Sequence, residues 1–217
     1  MEILIFHNIE RILQISNTTK MKNKPIDNLT PTGKKLVFLF FLVSALVIAW
    51  FTACRLPVKQ RPDGPLDMKV VDALVAKAAA KHGVSPMLIK AIIWQESKFK
   101  PYVRGKAGEI GLMQIRPETA VVEWQRGNKL SFMPTESQLF DPETNIDIGT
   151  WYLAWTAKHW KGYKSQLMLQ IAEYNAGYSN AKKWKPAKPE TEMKLTDITF
   201  KSTREYVENV MRKMKEF

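Results

Sequence analysis

Residues 91–101 read AIIWQESKFKP, and one carboxylate in that stretch decides how the chain is to be read. Counting back from Glu96, Ile93 stands three residues away, Ile92 four and Ile89 seven. On a helix these side chains share one face, and that face is otherwise apolar. A charged Glu is rarely buried without a partner, so it is either paired with a cation or kept as a neutral acid. Ser85 followed by Pro86 supplies an N-cap and a first-turn proline for the helix, and Pro101 ends it at the latest. Glu96 therefore falls near the helix C-terminus, beside Ile92, Ile93, Trp94 and Phe99. Low dielectric and the negative end of the helix dipole both disfavour the carboxylate, so its pKa is expected to be raised. A protonated Glu in an apolar cleft suits general-acid cleavage of an acetal.

The sequence on either side is helical too. MKVVDALVAKAAAKHG, 68–83, sets Val70, Val71, Leu74, Val75 and Ala78 on one side and stops at Gly83. Asp141 and Pro142 form a second start signal, and Ser165 is positioned to cap QLMLQIAEYNAG, which closes at Gly177. Ser202 and Glu205 fit a capping box ahead of the last amphipathic run. KLTDITF, 194–200, is the single modest strand candidate, and residues 123–140 carry no interpretable motif. The pattern predicts one mainly α-helical domain over residues 67–217.

Residues 1–66 read differently. LVFLFFLVSALVIAWFTAC, 36–54, is nineteen residues without a charge, long enough to cross a bilayer core of ~30 Å at ~1.5 Å per residue. Lys34 and Lys35 precede it, so residues 1–35 are expected in the cytoplasm, or as the basic region of a signal, and the later residues outside. Cys54 after FTA resembles the end of a lipoprotein signal, so a lipidated Cys54 and an uncleaved anchor both stay open, as does a start at Met21. Residues 55–66, with three prolines and a glycine, read as a tether. Either way the domain is expected to work tethered to a membrane, outside the cytoplasm. A net charge of +12 over 217 residues favours an anionic partner, and export argues against nucleic acid.

Glu96-Ser97 is followed by GLMQ at 111–114, AEYNAG at 172–177 and TREYVENV at 203–210. Taken in this order and spacing, the motifs resemble the soluble lytic transglycosylase (SLT) domain of bacterial cell-wall enzymes, within the lysozyme-like superfamily. The resemblance covers roughly residues 70–215 and implies a helical, lysozyme-like domain with a glycan-binding cleft. It implies Glu96 as the single catalytic acid, with Ser97 completing its motif. It also implies substrate contacts from Ser97, Met113, Gln114, Tyr174, Asn175 and Tyr206, with the hydroxyl of Tyr206 near the acid. The implied reaction cleaves the bond between N-acetylmuramic acid and N-acetylglucosamine in peptidoglycan and leaves 1,6-anhydro ends, without metal or organic cofactor.

The chain departs from the family pattern in places. Gly105 and Ala107 stand where many relatives carry serines, Gly108 and Glu109 replace a Gly-Ala pair, and Ser202 stands where a Glu often precedes the Thr. Glu109 keeps a hydrolase open, in which a second carboxylate activates water as in other glycosidases. A non-catalytic, membrane-tethered module that binds peptidoglycan is the alternative outside enzymology. The basic stretch AKKWKPAKPE, 181–190, is expected as a solvated loop over the cleft, with Trp184 a candidate sugar contact. An envelope or secretion partner, the physiological role, and endo against exo cutting are not legible.

Overall fold

Asp67 and Gly83 bracket the first helix of the computed structural model, which describes residues 30–33, 35, 38, 39, 42–45 and 64–217. The chain divides into two units, residues 1–60 and 61–217, and the elements named here all belong to the second. The apolar segment 36–54 and the tether from 55 lie largely outside the described residues. Among the described residues no helix is long and apolar enough to cross a membrane.

Helix α1 spans Met68–His82. Asp67 accepts from the Lys69 amide at 2.8 Å, and Gly83 ends the helix with φ 67°. Val71, Val75, Ala78 and Ala79 are buried, whereas Val70, expected on that face, is exposed. Helix α2, Pro86–Ser97, begins at the expected proline, although the Ser85 side chain makes no capping bond. Ile89, Ile92 and Ile93 are fully buried, so the apolar face on which Glu96 sits is a core face. Lys98 and Phe99 then turn left-handed, with φ 53° and 62°. The Phe99 carbonyl accepts from the Leu66 amide at 2.9 Å, which fastens the incoming chain to the end of α2.

A π-helical turn, Pro117–Val121, leads into α3, Val122–Gly127. The stretch without a readable motif contains a capping box, Thr135 with Gln138, that opens the short α4, Glu136–Leu139. Helix α5, Pro142–His159, starts as expected, with Asp141 accepting from the Thr144 amide at 3.0 Å. Helix α6, Gln166–Ala176, closes before Gly177, and α7 runs over Tyr178–Trp184. Helix α8, Lys201–Lys213, buries Thr203, Tyr206, Val207 and Val210, one face at helical spacing. It packs against both α2 and α6, so the helices bearing Glu96, Tyr174 and Tyr206 meet in one core.

Three sequence expectations are corrected. KLTDITF forms no strand: Leu195–Asp197 is a 3-10 turn, closed by Asp197 accepting from the Lys194 amide at 2.8 Å. The last helix starts at Lys201, so Ser202 lies inside it and cannot cap it. Trp184 is 5% exposed at the end of α7, donating to Thr199 at 2.9 Å with Phe200 against its ring, so it is a core residue. The described residues contain helices, turns and isolated bridges but no strand, a mainly α fold as expected.

Candidate active site

The loop between α2 and the π-helical turn is held from below by one side chain. Asn145, on α5 and wholly buried, donates to the carbonyls of Ile110 at 2.8 Å and Leu139 at 2.7 Å. Its oxygen accepts from the Met113 amide at 2.8 Å. Three such bonds offset the cost of burying an amide. Gly111 passes directly over Asn145: its φ is 77°, and a Cβ there would come within 2.4 Å of the Asn145 amide nitrogen. Both the backbone conformation and the space demand glycine. Sequence reading missed Asn145, although a lone amide beside Ile146 and Ile148 on an apolar helix was the available signal.

Above this loop lies a cavity of about 230 Å³, lined in part by Glu96, Glu109, Gln114, Tyr152, Tyr174 and Asn175. Four of these come from the sequence motifs, Glu109 was the alternative carboxylate, and Tyr152 was not anticipated. A larger hollow of about 340 Å³ lies between α1 and α5, but its lysines pair with its acids, Lys77 with Glu143 at 2.5 Å and Lys81 with Asp147 at 2.8 Å, and its Asp141 caps α5. The smaller cavity holds the unusual acid.

Burial pushes the Glu96 carboxyl up to about 7. The hydrogen bond from Tyr206 acts downward, the charge of Glu109 upward and that of Lys98 downward. The Tyr206 hydroxyl donates to Glu96 Oε1 at 2.5 Å, and burial raises that phenol well above its ordinary range. Near neutral pH both forms of Glu96 are thus accessible, and the phenol stays neutral and donates a hydrogen bond that stabilises the charged one.

The amides around the acid are partly committed. Gln114, at φ 45°, spends both amide hydrogens on the carbonyls of Val103 at 3.0 Å and Gly111 at 2.7 Å. A ligand therefore meets Gln114 as an acceptor alone, not as the donor and acceptor its composition offers. Asn175 is the complement. Its oxygen accepts from Thr203 at 2.8 Å, which leaves its N–H groups as donors. Tyr174 donates to the Met113 carbonyl at 2.8 Å and so ties α6 to the loop.

Two expected contact residues lie elsewhere. The Met113 side chain is wholly buried beneath the cavity, and its backbone serves Asn145 and Tyr174. Ser97 is 5% exposed and donates back to the Ile93 carbonyl at 3.0 Å, so its hydroxyl belongs to its own helix. Glu109 borders the cavity with one oxygen accepting from the Ala107 amide at 3.0 Å. Gly105 makes room for it: a Cβ there would collide with the carboxylate of Glu109. A side chain at 105 would require the Glu109 carboxylate to move.

The sequence profile of the Transglycosylase SLT domain family matches residues 73–196, more than half of the chain, and stops short of Tyr206. Membrane-bound lytic murein transglycosylase E of Buchnera aphidicola is 32% identical over 148 residues, 66% of this chain and 67% of that protein. Membrane-bound lytic murein transglycosylase C of Yersinia pestis is 40% identical over 108 residues, 48% of this chain, yet the match spans only 30% of its length. Among solved structures, an inactive mutant of the lytic transglycosylase Slt from Pseudomonas aeruginosa superposes with a TM-score of 0.58 at 29% identity. That match covers 74% of this chain and 24% of the other. The 70 kDa soluble lytic transglycosylase from Escherichia coli gives 0.57 at 30%, covering 65% and 23%. Sequence profile and fold agree, and the chain belongs to the Transglycosylase SLT domain family.

Proposed function

We propose that the protein is a peptidoglycan lytic transglycosylase with Glu96 as its single general acid and base. The observation that carries this reading is a carboxyl raised to about 7 inside a cavity, hydrogen-bonded to Tyr206. In the first step Glu96 gives its proton to the oxygen bridging N-acetylmuramic acid and N-acetylglucosamine, and the bond from that oxygen to muramyl C1 breaks. The substrate's own N-acetyl group stabilises the cation-like C1. In the second step Glu96, now a carboxylate, takes the proton of the muramyl C6 hydroxyl while its oxygen bonds to C1. A 1,6-anhydro ring closes, Glu96 is again protonated, and no water is consumed.

The Tyr206 hydroxyl stabilises the carboxylate between the two steps, which is the half of the cycle that burial disfavours. Gln114 as acceptor and Asn175 as donor match the N–H and C=O of an acetamido group. The relatives' names support murein as the substrate and a membrane-bound form. Attachment through residues 36–54 or a lipidated Cys54, with residues 67–217 outside the cytoplasmic membrane, accords with those names.

Glu109 favours one second reading, a muramidase, because it borders the same cavity and acts electrostatically on Glu96. Digestion of purified peptidoglycan, with products read by mass spectrometry, separates the readings. Anhydromuramyl ends that disappear with Glu96→Gln support the transglycosylase, and reducing muramic ends transfer the assignment to a hydrolase. Wall binding without either product leaves a binding module.

A further inference from the structure

The π-helical turn Pro117–Val121 is seated on the core by its last two residues. Ala120 and Val121 are buried, and the Arg116 carbonyl accepts from the amides of Thr119 at 3.2 Å and Val121 at 3.3 Å. With that side of the turn held in the core, Arg116 and Thr119 stay exposed, and both line the cavity that holds Glu96. The turn follows directly on the loop that Asn145 fixes through the Met113 amide. Its place against the cavity is therefore set by buried groups, not by the two side chains it presents.

Those side chains are unspent. Arg104 pairs with Glu136, Arg126 with Glu123 and Arg212 with Glu216, while Arg204 donates to the Ile198 carbonyl. Among the described residues Arg116 is the one arginine whose guanidinium makes neither an ion pair nor a hydrogen bond, and the Thr119 hydroxyl has no partner there either. Neither acid of the cavity answers the cation. Glu96 is bonded to Tyr206, and Glu109 accepts from the Ala107 amide without pairing with Arg116. A guanidinium offers five N–H donors in a planar fork, which meets the two oxygens of a carboxylate with parallel bonds.

We propose that Arg116, with the Thr119 hydroxyl beside it, binds a carboxylate carried by the muramyl substituent and so makes the enzyme selective for charged over neutral strands. This rests on reading the cavity as a peptidoglycan cleft. Muramic acid differs from glucosamine by a lactyl ether at C3. Its carboxyl is free on a peptide-free strand and amide-bonded on a peptide-bearing one, where the peptide brings carboxylates of its own. The group recognised is the same in both cases. A neutral amide in its place loses the charge that strengthens each bond of the fork.

The test measures kcat/KM on peptide-free strands and on uncrosslinked peptide-bearing strands, each as the free acid and after conversion of its carboxylates to methylamides. The parent is expected to prefer the acid form roughly tenfold in at least one pair, the scale of a charge-assisted bond. Arg116→Gln is expected to bring that ratio to about one, through KM more than kcat. Arg116→Lys, which keeps the charge but not the fork, is expected to retain part of it. A preference in the peptide-free pair assigns the lactyl carboxylate, one in the peptide-bearing pair a peptide carboxylate, and one in both assigns either. Equal rates on acid and amidated strands, or a preference that Arg116→Gln leaves in place, overturn the proposal. Because Arg116 is exposed, its variants leave the core intact. If the parent cuts no strand, the transglycosylase reading has failed separately. Calorimetric affinity of Glu96→Gln protein for the same four strands, with and without Arg116→Gln, then decides: an acid preference lost with the arginine supports the proposal, and any other result overturns it.

Discussion

The hydroxyl of Tyr206 donates to Oε1 of Glu96 at 2.5 Å, joining residues 110 positions apart in the chain. That bond stabilises the charged form of the acid, against burial, which disfavours it. In Tyr206→Phe the Glu96 pKa is expected to rise further, so the alkaline limb of the kcat/KM profile moves to higher pH. The rate at the optimum is expected to drop roughly tenfold, since the acid loses its orienting partner. A pH–rate profile with an unmoved limb would count against this role for Tyr206.

Glu96 itself ought to be a burden on the fold. Its folded-state pKa, about 7, is above the ordinary 4.5. Between those values the unfolded chain releases the proton while the folded chain keeps it. Stability is therefore full below about 4.5, falls as pH rises to about 7 and is flat beyond. Glu96→Gln should remove this dependence and stabilise the protein by up to about 3 kcal/mol at pH 8, with little change at pH 4. Urea titrations of both proteins at the two pH values test it. The same variant should lose about a thousandfold or more in turnover.

Glu109 raises the Glu96 pKa through its charge. Glu109→Gln should therefore shift the alkaline limb to lower pH while anhydro ends remain the product. Loss of turnover with reducing ends in the parent digest would instead assign Glu109 to water activation.

Asn145→Leu keeps the approximate volume but strips partners from the Met113 amide and two carbonyls. We expect a loss of about 4 kcal/mol in stability, since each orphaned buried group costs ~1–3 kcal/mol. A urea midpoint close to that of the parent would show that the loop is held by something else.

The helices were legible because their signals are local. Asp141 caps within three residues, Gly83 and Gly177 stop their helices in place, and Glu96 betrays itself against Ile89, Ile92 and Ile93. What escaped depends on distance. Asn145 bonds residues 6, 32 and 35 positions away, and no spacing rule reaches that far. The amides of Gln114 and Asn175 were legible as cleft residues, but which of their atoms are spent depends on Val103 and Thr203. Trp184 was misread because lysines surround it in sequence, while in space it meets Thr199 and Phe200. Local charge describes the surface of a short helix, not the direction of the one ring it buries.

The bond from Leu66 to the Phe99 carbonyl has a mechanical consequence. The chain arriving from the N-terminal side is fastened three residues beyond Glu96, at the left-handed turn that ends its helix. Tension along the segment before Leu66 is thus delivered to the turn that aims the acid, rather than dissipated on a remote face. Were the chain held from that side, a pull on its backbone would reach the acid's turn first.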